Sequence, residues 1–370
     1  NIIMKKRSLS IDYIKKYLKK QVFIINQKKN TNKQNNSGNI FRTFLSSLII
    51  ISVFFITPFV KDKIIFSKDY ENNSKSKLKI LLENREQTLD KEVNRKFLFE
   101  DILTFNEQSI DTVRLSAATI EELFKSTNYN LEDVRKNKLV KPISLTLLPS
   151  EIKKIENSKK KKDLFIQIIL PLIIKENQHI RLDRKKLFTI LNKSKNTNKE
   201  KKWLNLKFKQ YGVINKDLST LKIRMDEIPV SMAIAQAAKE TGWGTSRFAQ
   251  EGNALFGQWT WSGEGIKPSE ADNDTTHKVM KFKVLQASVR AYQRNLNTHS
   301  SYKIFRSARA ELREEGKKLD SMILSDYLDK YAETGKKYVE VLQKIIKQNN
   351  LTDFDDAKLL PSSIKLESLI

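Results

Sequence analysis

Cysteine is missing from the chain altogether, which excludes a disulfide framework and a thiolate metal site. Histidine is nearly as scarce. His179, His277 and His299 stand far apart, with none of the close pairs that zinc hydrolases use. A histidine triad or a zinc mechanism therefore has few parts to draw on, and no metal and no cofactor are expected. What the chain has in excess is positive charge: 69 Lys and Arg against 43 Asp and Glu, a net charge of +26 over 370 residues. That balance suits an anionic partner. Lys, Asn and Ile are nevertheless spread through every region, linkers included, and there is no arginine-rich helix or nucleic-acid module. Nucleic acid is not expected as a partner; an anionic cell-wall polymer or membrane surface fits better.

Residues 1–40 read as a basic cytoplasmic tail, with ten Lys and Arg between Lys5 and Lys33 against one acid, Asp12. The next twenty, FRTFLSSLIIISVFFITPFV at 41–60, carry no charge after Arg42 until Lys61. That is about the ~20 residues needed to cross a bilayer core. Basic residues crowd the N-terminal side, so the positive-inside rule predicts a cytoplasmic N-terminus and an outward-facing remainder. A cleaved signal peptide competes with this reading, but no Ala-x-Ala-like site follows and an uncleaved anchor is expected. That orientation makes the run an expected single-pass anchor, with everything after Val60 on the far side of the membrane from the cytoplasm.

Residues 61–140 read as a tether and a weakly helical region without assigned chemistry, its apolar faces near 97–105 and 117–124. Residues 141–215 form a helical lead-in. Its apolar run within 163–187 is too short for a second span and is interrupted by Pro171, which predicts a buried, kinked helix. Residues 193–202 read as polar linker, and 216–352 as the catalytic domain, with 353–370 a loose tail.

The chain is organised around IPVSMAIAQAAKETGWGTSRFAQEGNALFGQWT, residues 228–260. Pro229 suits a first helical position. Ala233, Ala237 and Glu240 share a helical face, and Gly242 and Gly244 stop the helix. Two alternating stretches follow, 255–261 and 278–284, predicting a two-stranded hairpin with Met280, Phe282 and Val284 on one face. Its long tip, 262–277, holds Glu264, Glu270, Asp272 and Asp274. Leu285, Val289, Tyr292 and Leu296 then recur at helical spacing. Further helices are expected near 301–315, 319–332 and 336–349, the last burying Tyr338, Val341, Leu342, Ile345 and Ile346. The fold class is α+β: a mainly helical body with a small β-hairpin lobe, and a groove between them suited to an extended polymer.

Without His or Cys clusters, the available catalytic groups are carboxylates and tyrosines. Glycoside hydrolysis needs a protonated carboxylic acid to reach the leaving oxygen. Glu240 is suited to that task, because the helix dipole at the last turn and the adjoining alanine face both favour its protonated form. A solvated glutamate at a frayed helix end is the competing reading. Trp243, Phe256, Trp259 and Trp261 offer flat surfaces for sugar rings, or else plain core packing.

AQAAKETGWGTSRFA at 235–249 and EGNALFGQW at 251–259 resemble the glucosaminidase signature of the Bax-like proteins, which belong with the flagellar-type peptidoglycan hydrolases of glycoside hydrolase family seventy-three. NLNTHSSY at 295–302, YAETGKKY at 331–338 and the lead-in IILPLIIKEN at 168–177 extend the likeness over roughly 140–350. The resemblance implies a lysozyme-like fold and cleavage of N-acetylglucosaminyl bonds in peptidoglycan glycan strands. It assigns the essential glutamate to Glu240 and a tyrosine near the reaction centre to Tyr331. The IKPSE segment at 266–270 picks out Glu270 as the second acid, with Glu264, Asp272 and Asp274 as rivals. Asn253, Gly257, Tyr302 and Tyr338 join Trp243, Phe256 and Trp259 as expected substrate-binding residues. Two mechanisms stay open: a second carboxylate that activates water, or substrate assistance by the 2-acetamido group with Tyr331 orienting it. A lytic transglycosylase and a non-catalytic wall-binding scaffold are the alternatives in function.

Overall fold

The computed structural model describes residue 102 and residues 113–260, 265–267 and 278–361. All of these lie in one compact unit within Leu81–Ile370. The apolar run at 41–60, the tip carboxylates Glu264, Glu270, Asp272 and Asp274, and Trp261 are outside the described residues. Among those described, no helix is long and apolar enough to cross a membrane.

Two short helices, α1 (Ala117–Ser126) and α2 (Leu131–Asn137), start the described chain. Ser116 and Asn130 cap them by accepting backbone N–H groups three residues on. Ala117, Ile120 and Phe124, spaced by three and four, turn inward to the main core. After a two-residue strand β1 (Leu139–Val140) comes α3 (Ser158–Leu191), a 34-residue helix. Its stretch Leu164–Ile174 is apolar almost all round and is buried accordingly. The helix runs on across Pro171, which is itself buried. Beyond it the apolar residues thin to one stripe, Ile180, Leu187 and Ile190. That stripe forms a second, smaller core with Leu204, Phe208 and Leu221 of α4 (Asn198–Gln210) and α5 (Leu218–Arg224). The polar linker expected at 193–202 is a correction: α4 already starts at Asn198, in a capping box between Thr197 and Glu200.

The central helix α6 (Val230–Thr241) is buried from Val230 through Ala238. Its alanines let α3, the C-terminal helices and the turn Leu351–Phe354 close around it. Pro229 precedes the helix as its cap residue, so the helix begins one residue later than expected, and Gly242 ends it at φ +55°. Helix α7 (Arg247–Gly252) leads into the small sheet, where the expected two-stranded hairpin needs correcting. Three short antiparallel strands stand in the order β2 (Trp259–Thr260), β4 (Lys278–Met280), β3 (Gly265–Ile266). Trp259 and Ile266 both sit opposite Val279. The alternation of 278–284 does not continue as one strand. Val279 is buried in β4, the ladder stops, and the Phe282 N–H bonds to the Gly252 carbonyl instead (2.8 Å), which turns Phe282 and Val284 inward.

Helix α8 (Leu285–Thr298) buries Leu285, Val289, Tyr292 and Leu296, as their spacing predicts. It is followed by α9 (Lys303–Glu314), α10 (Ser321–Ser325) and α11 (Lys336–Gln348). Of the expected 319–332 helix only α10 forms. Helix α11 buries Tyr338, Leu342 and Ile346 with Val339, while two residues expected inside need correcting: Ile345 is only partly buried and Val341 is 37% exposed. The tail is not loose up to residue 361. Phe354 and Ala357 are buried, and β5 (Lys358–Leu359) runs parallel to β1. The described molecule is mostly helical with a small strand content.

Candidate active site

The end of α6 carries Glu240, and its carboxyl group meets two other parts of the chain. Gly242 closes the helix in the left-handed conformation, so the chain turns back at once and brings residues 253–257 past the helix end. At Gly257 the backbone again has positive φ, +58°, and a Cβ there would stand 3.1 Å from Glu240 Oε2. Glycine at this position satisfies both the conformation and the close approach. From the other side, the first turn of α11 presents Tyr338, whose hydroxyl donates to Glu240 Oε1 (3.0 Å).

Behind this contact lies a small aromatic assembly. Gln236, one helical turn before Glu240 on α6, donates from Nε2 to the Tyr338 hydroxyl oxygen (3.1 Å). It accepts at Oε1 from the Tyr292 hydroxyl of α8 (2.6 Å). The Tyr292 ring stacks on Phe256, centroids 3.8 Å apart and planes 8° apart. Tyr331 stacks on Tyr338 at 5.4 Å and donates its hydroxyl to the Phe256 carbonyl (2.8 Å). Tyr302 tilts against Tyr331 at 5.9 Å.

Burial pushes the Glu240 carboxyl above its ordinary range, and the Tyr338 hydrogen bond and the Lys239 charge only partly oppose it. Burial likewise pushes Tyr292, Tyr331 and Tyr338 upward, so all three phenols stay protonated and able to donate. The arrangement can hold a carboxylic acid in its protonated form and stabilise the carboxylate it leaves after giving up that proton.

Of the residues expected from the sequence, Glu240, Gly257, Tyr331 and Tyr338 come together, with Tyr302 beside them. Phe256 is also present, but 1% exposed against Tyr292. It supports the site from below, and its expected use as a sugar platform is corrected. Asn253 is corrected in the same way. Its Nδ2 donates to the Phe282 and Lys283 carbonyls (2.8 and 3.1 Å), pinning the segment after the small sheet rather than facing a groove. Trp243, at φ +62°, turns edge-on to Phe165 of α3 (5.9 Å), with Lys162 Nζ 5.1 Å from its ring. That places it on the α3 side of the turn. Trp259 contributes backbone to β2, and Glu270 lies outside the described residues.

Gln236 and the hydrogen-bonding role of Tyr292 were not anticipated. Gln236 is a polar side chain fully buried on an alanine face, and such a group requires partners. That was the one available signal.

A partly buried carboxyl, raised by burial and contacted by a neutral phenol, stands on a mainly helical scaffold, an arrangement suited to general-acid chemistry. Residues 219–351 match the glucosaminidase family, described as mannosyl-glycoprotein endo-beta-N-acetylglucosaminidase. Protein bax of Escherichia coli (strain K12) is 30% identical over 206 residues, covering 54% of this chain and 73% of that relative. The chain belongs to this Bax-like family of glucosaminidase-domain proteins. No solved structure matches it.

Proposed function

We propose that the chain is a peptidoglycan hydrolase that cleaves β-1,4 N-acetylglucosaminyl bonds of the glycan strand, with Glu240 as general acid. The observation that carries this reading is the Glu240 carboxyl itself. It is raised above its ordinary range by burial, held by Tyr338, and approached by a glycine backbone that leaves one oxygen uncrowded. Tyr331, which stacks on Tyr338, takes the role of orienting a substrate group beside that acid in this reading. Water activation then falls to Glu270, or the 2-acetamido group of the sugar acts as the internal nucleophile. The run at 41–60 would anchor the enzyme in the inner membrane, with the catalytic unit facing the wall outside.

The test is muropeptide release from purified sacculi. Glu240→Gln keeps the shape and the Tyr338 contact but cannot supply a proton, and release should fall by about 10²- to 10⁴-fold with an unchanged melting curve. Retained release would remove the assignment. Mass spectrometry of the wild-type products should show reducing N-acetylglucosamine ends. Anhydro-muramic ends would mean a lytic transglycosylase instead, and sacculus binding without any product a scaffold.

A further inference from the structure

Three side chains from three helices form a single file of hydrogen bonds that ends on one oxygen of Glu240. An amide carbonyl oxygen only accepts, so Tyr292 donates to Gln236 Oε1. The amide is thereby oriented, and its Nε2 donates to the hydroxyl oxygen of Tyr338. Tyr338 has one hydroxyl proton. With a donor already arriving from Gln236, that proton goes to Glu240 Oε1. The file is shielded from water: Tyr292 and Gln236 are 0% exposed and Tyr338 2%. Oε1 is then committed as an acceptor. The other oxygen, Oε2, is the one beside Gly257.

We propose that Gln236, held by Tyr292, is a positioning residue that aims the Tyr338 hydroxyl at Oε1 of Glu240 and so leaves the transferable proton on Oε2, the oxygen facing Gly257. The inference rests on Glu240 being the acid and specifies how that acid is wired. When the Oε2–H bond breaks, its proton goes to the leaving glycosidic oxygen and the electron pair stays on the carboxylate. The oriented Tyr338 hydroxyl is already in place to stabilise the charge that forms. Among the described residues, the ionisable groups that act on Glu240 are Tyr338 on α11, Tyr331 just before α11, and Lys239 on α6 itself. Gln236 adds no charge to this set; its effect is on direction alone.

The test compares Gln236→Leu, Tyr338→Phe and the double variant in the full-length chain. Two readouts are used: a carbon-13 NMR titration of the Glu240 carboxyl, assigned with Glu240→Gln, and the pH profile of muropeptide release. The Tyr338 hydrogen bond favours the charged carboxylate, so losing its direction raises the Glu240 pKa, by about half to one unit. A general acid must be protonated, so the high-pH fall of activity moves upward by the same amount. Because Gln236 acts through Tyr338, the double variant should shift no further than Tyr338→Phe alone. If Gln236→Leu does not fold, Tyr292→Phe keeps the ring on Phe256 while removing the donor that orients the amide, and the same upward shift is expected. An unmoved titration, or a Gln236→Leu shift that adds in full to that of Tyr338→Phe, overturns the proposal. The NMR readout needs no turnover. An inactive wild type with the expected titration shifts would refute the enzymatic reading and leave the wiring standing.

Discussion

Asp226 and Glu240 stand at the two ends of the same helix, one four residues before α6 and the other on its last turn, Asp226 buried and Glu240 partly buried. Their surroundings are opposite. Asp226 is ringed by arginines: Arg313 bonds both its oxygens (3.2 and 3.1 Å), and Arg184 and Arg309 lie at 3.7 and 3.9 Å. Burial alone would raise its pKa, yet those guanidinium groups pull it below the usual carboxylate range. Glu240 has tyrosines where Asp226 has arginines, and burial wins there. Burial therefore does not decide what a buried carboxylate is for. Its neighbours do: cations fix it as an ionised clasp, while neutral donors leave it able to hold and release a proton.

The comparison breaks most visibly at Asp226. Asp226→Asn would leave Arg309, 0% exposed, without its counter-charge. The expected cost is about 3–5 kcal/mol in a urea melt, whereas Glu240→Gln should cost almost no stability. Equal effects at the two positions would dissolve the contrast.

A third carboxylate sharpens it. Asp355 accepts the backbone N–H and the hydroxyl of Ser231 in the first turn of α6 (both 2.8 Å). Like Glu240 it is raised by burial, from 3.8 to about 6. A carboxyl raised in the folded state gives its stabilisation in full below its unfolded pKa and loses it as pH rises through the folded value. Wild type should therefore lose up to about 3 kcal/mol between pH 4 and pH 7 relative to Asp355→Asn. The difference between the two unfolding curves at each pH is the measurement.

A smaller loss than at Asp226 or Asp355 is expected at Gly257. Gly257→Ala puts a methyl group at φ +58° and 3.1 Å from Oε2 of Glu240. Stability should drop by about 1–2 kcal/mol, and muropeptide release should drop by more than the loss of folded protein explains. Release that tracks folded protein alone would mean the close approach has no bearing on the acid.

The same contrast explains what the amino-acid sequence made legible. Helical spacing gave away α8, α11 and the end of α6, because apolar stripes and a glycine stop are local features. Glu240, Gly257, Tyr331 and Tyr338 are singled out by their motifs, and the fold brings them together. The third strand was not, since Gly265–Ile266 is two residues long and owes its pairing to Lys278–Met280 and not to its own pattern. The order of 353–361 was hidden for the same reason, because Phe354 and the β1–β5 pair need partners more than 200 residues away. Asn253 and Phe256 looked like binding residues by position in a motif. Their partners on Phe282 and Tyr292 exist only after packing, as does the hydrogen-bond file through Gln236.

The parallel pairing of Leu139–Val140 with Lys358–Leu359 bears on where this molecule can be cut. The family match, 219–351, stops short of both strands and omits α3, whose apolar stretch covers the flank of α6. A fragment trimmed to that match would expose the alanine face of α6 and the inner sides of α8 and α11. It would also lose Asp355 from the start of α6. The excisable unit is set by the strand clasp, from before α1 to residue 361, and the family-matched segment is a core that cannot be lifted out of its wrapping.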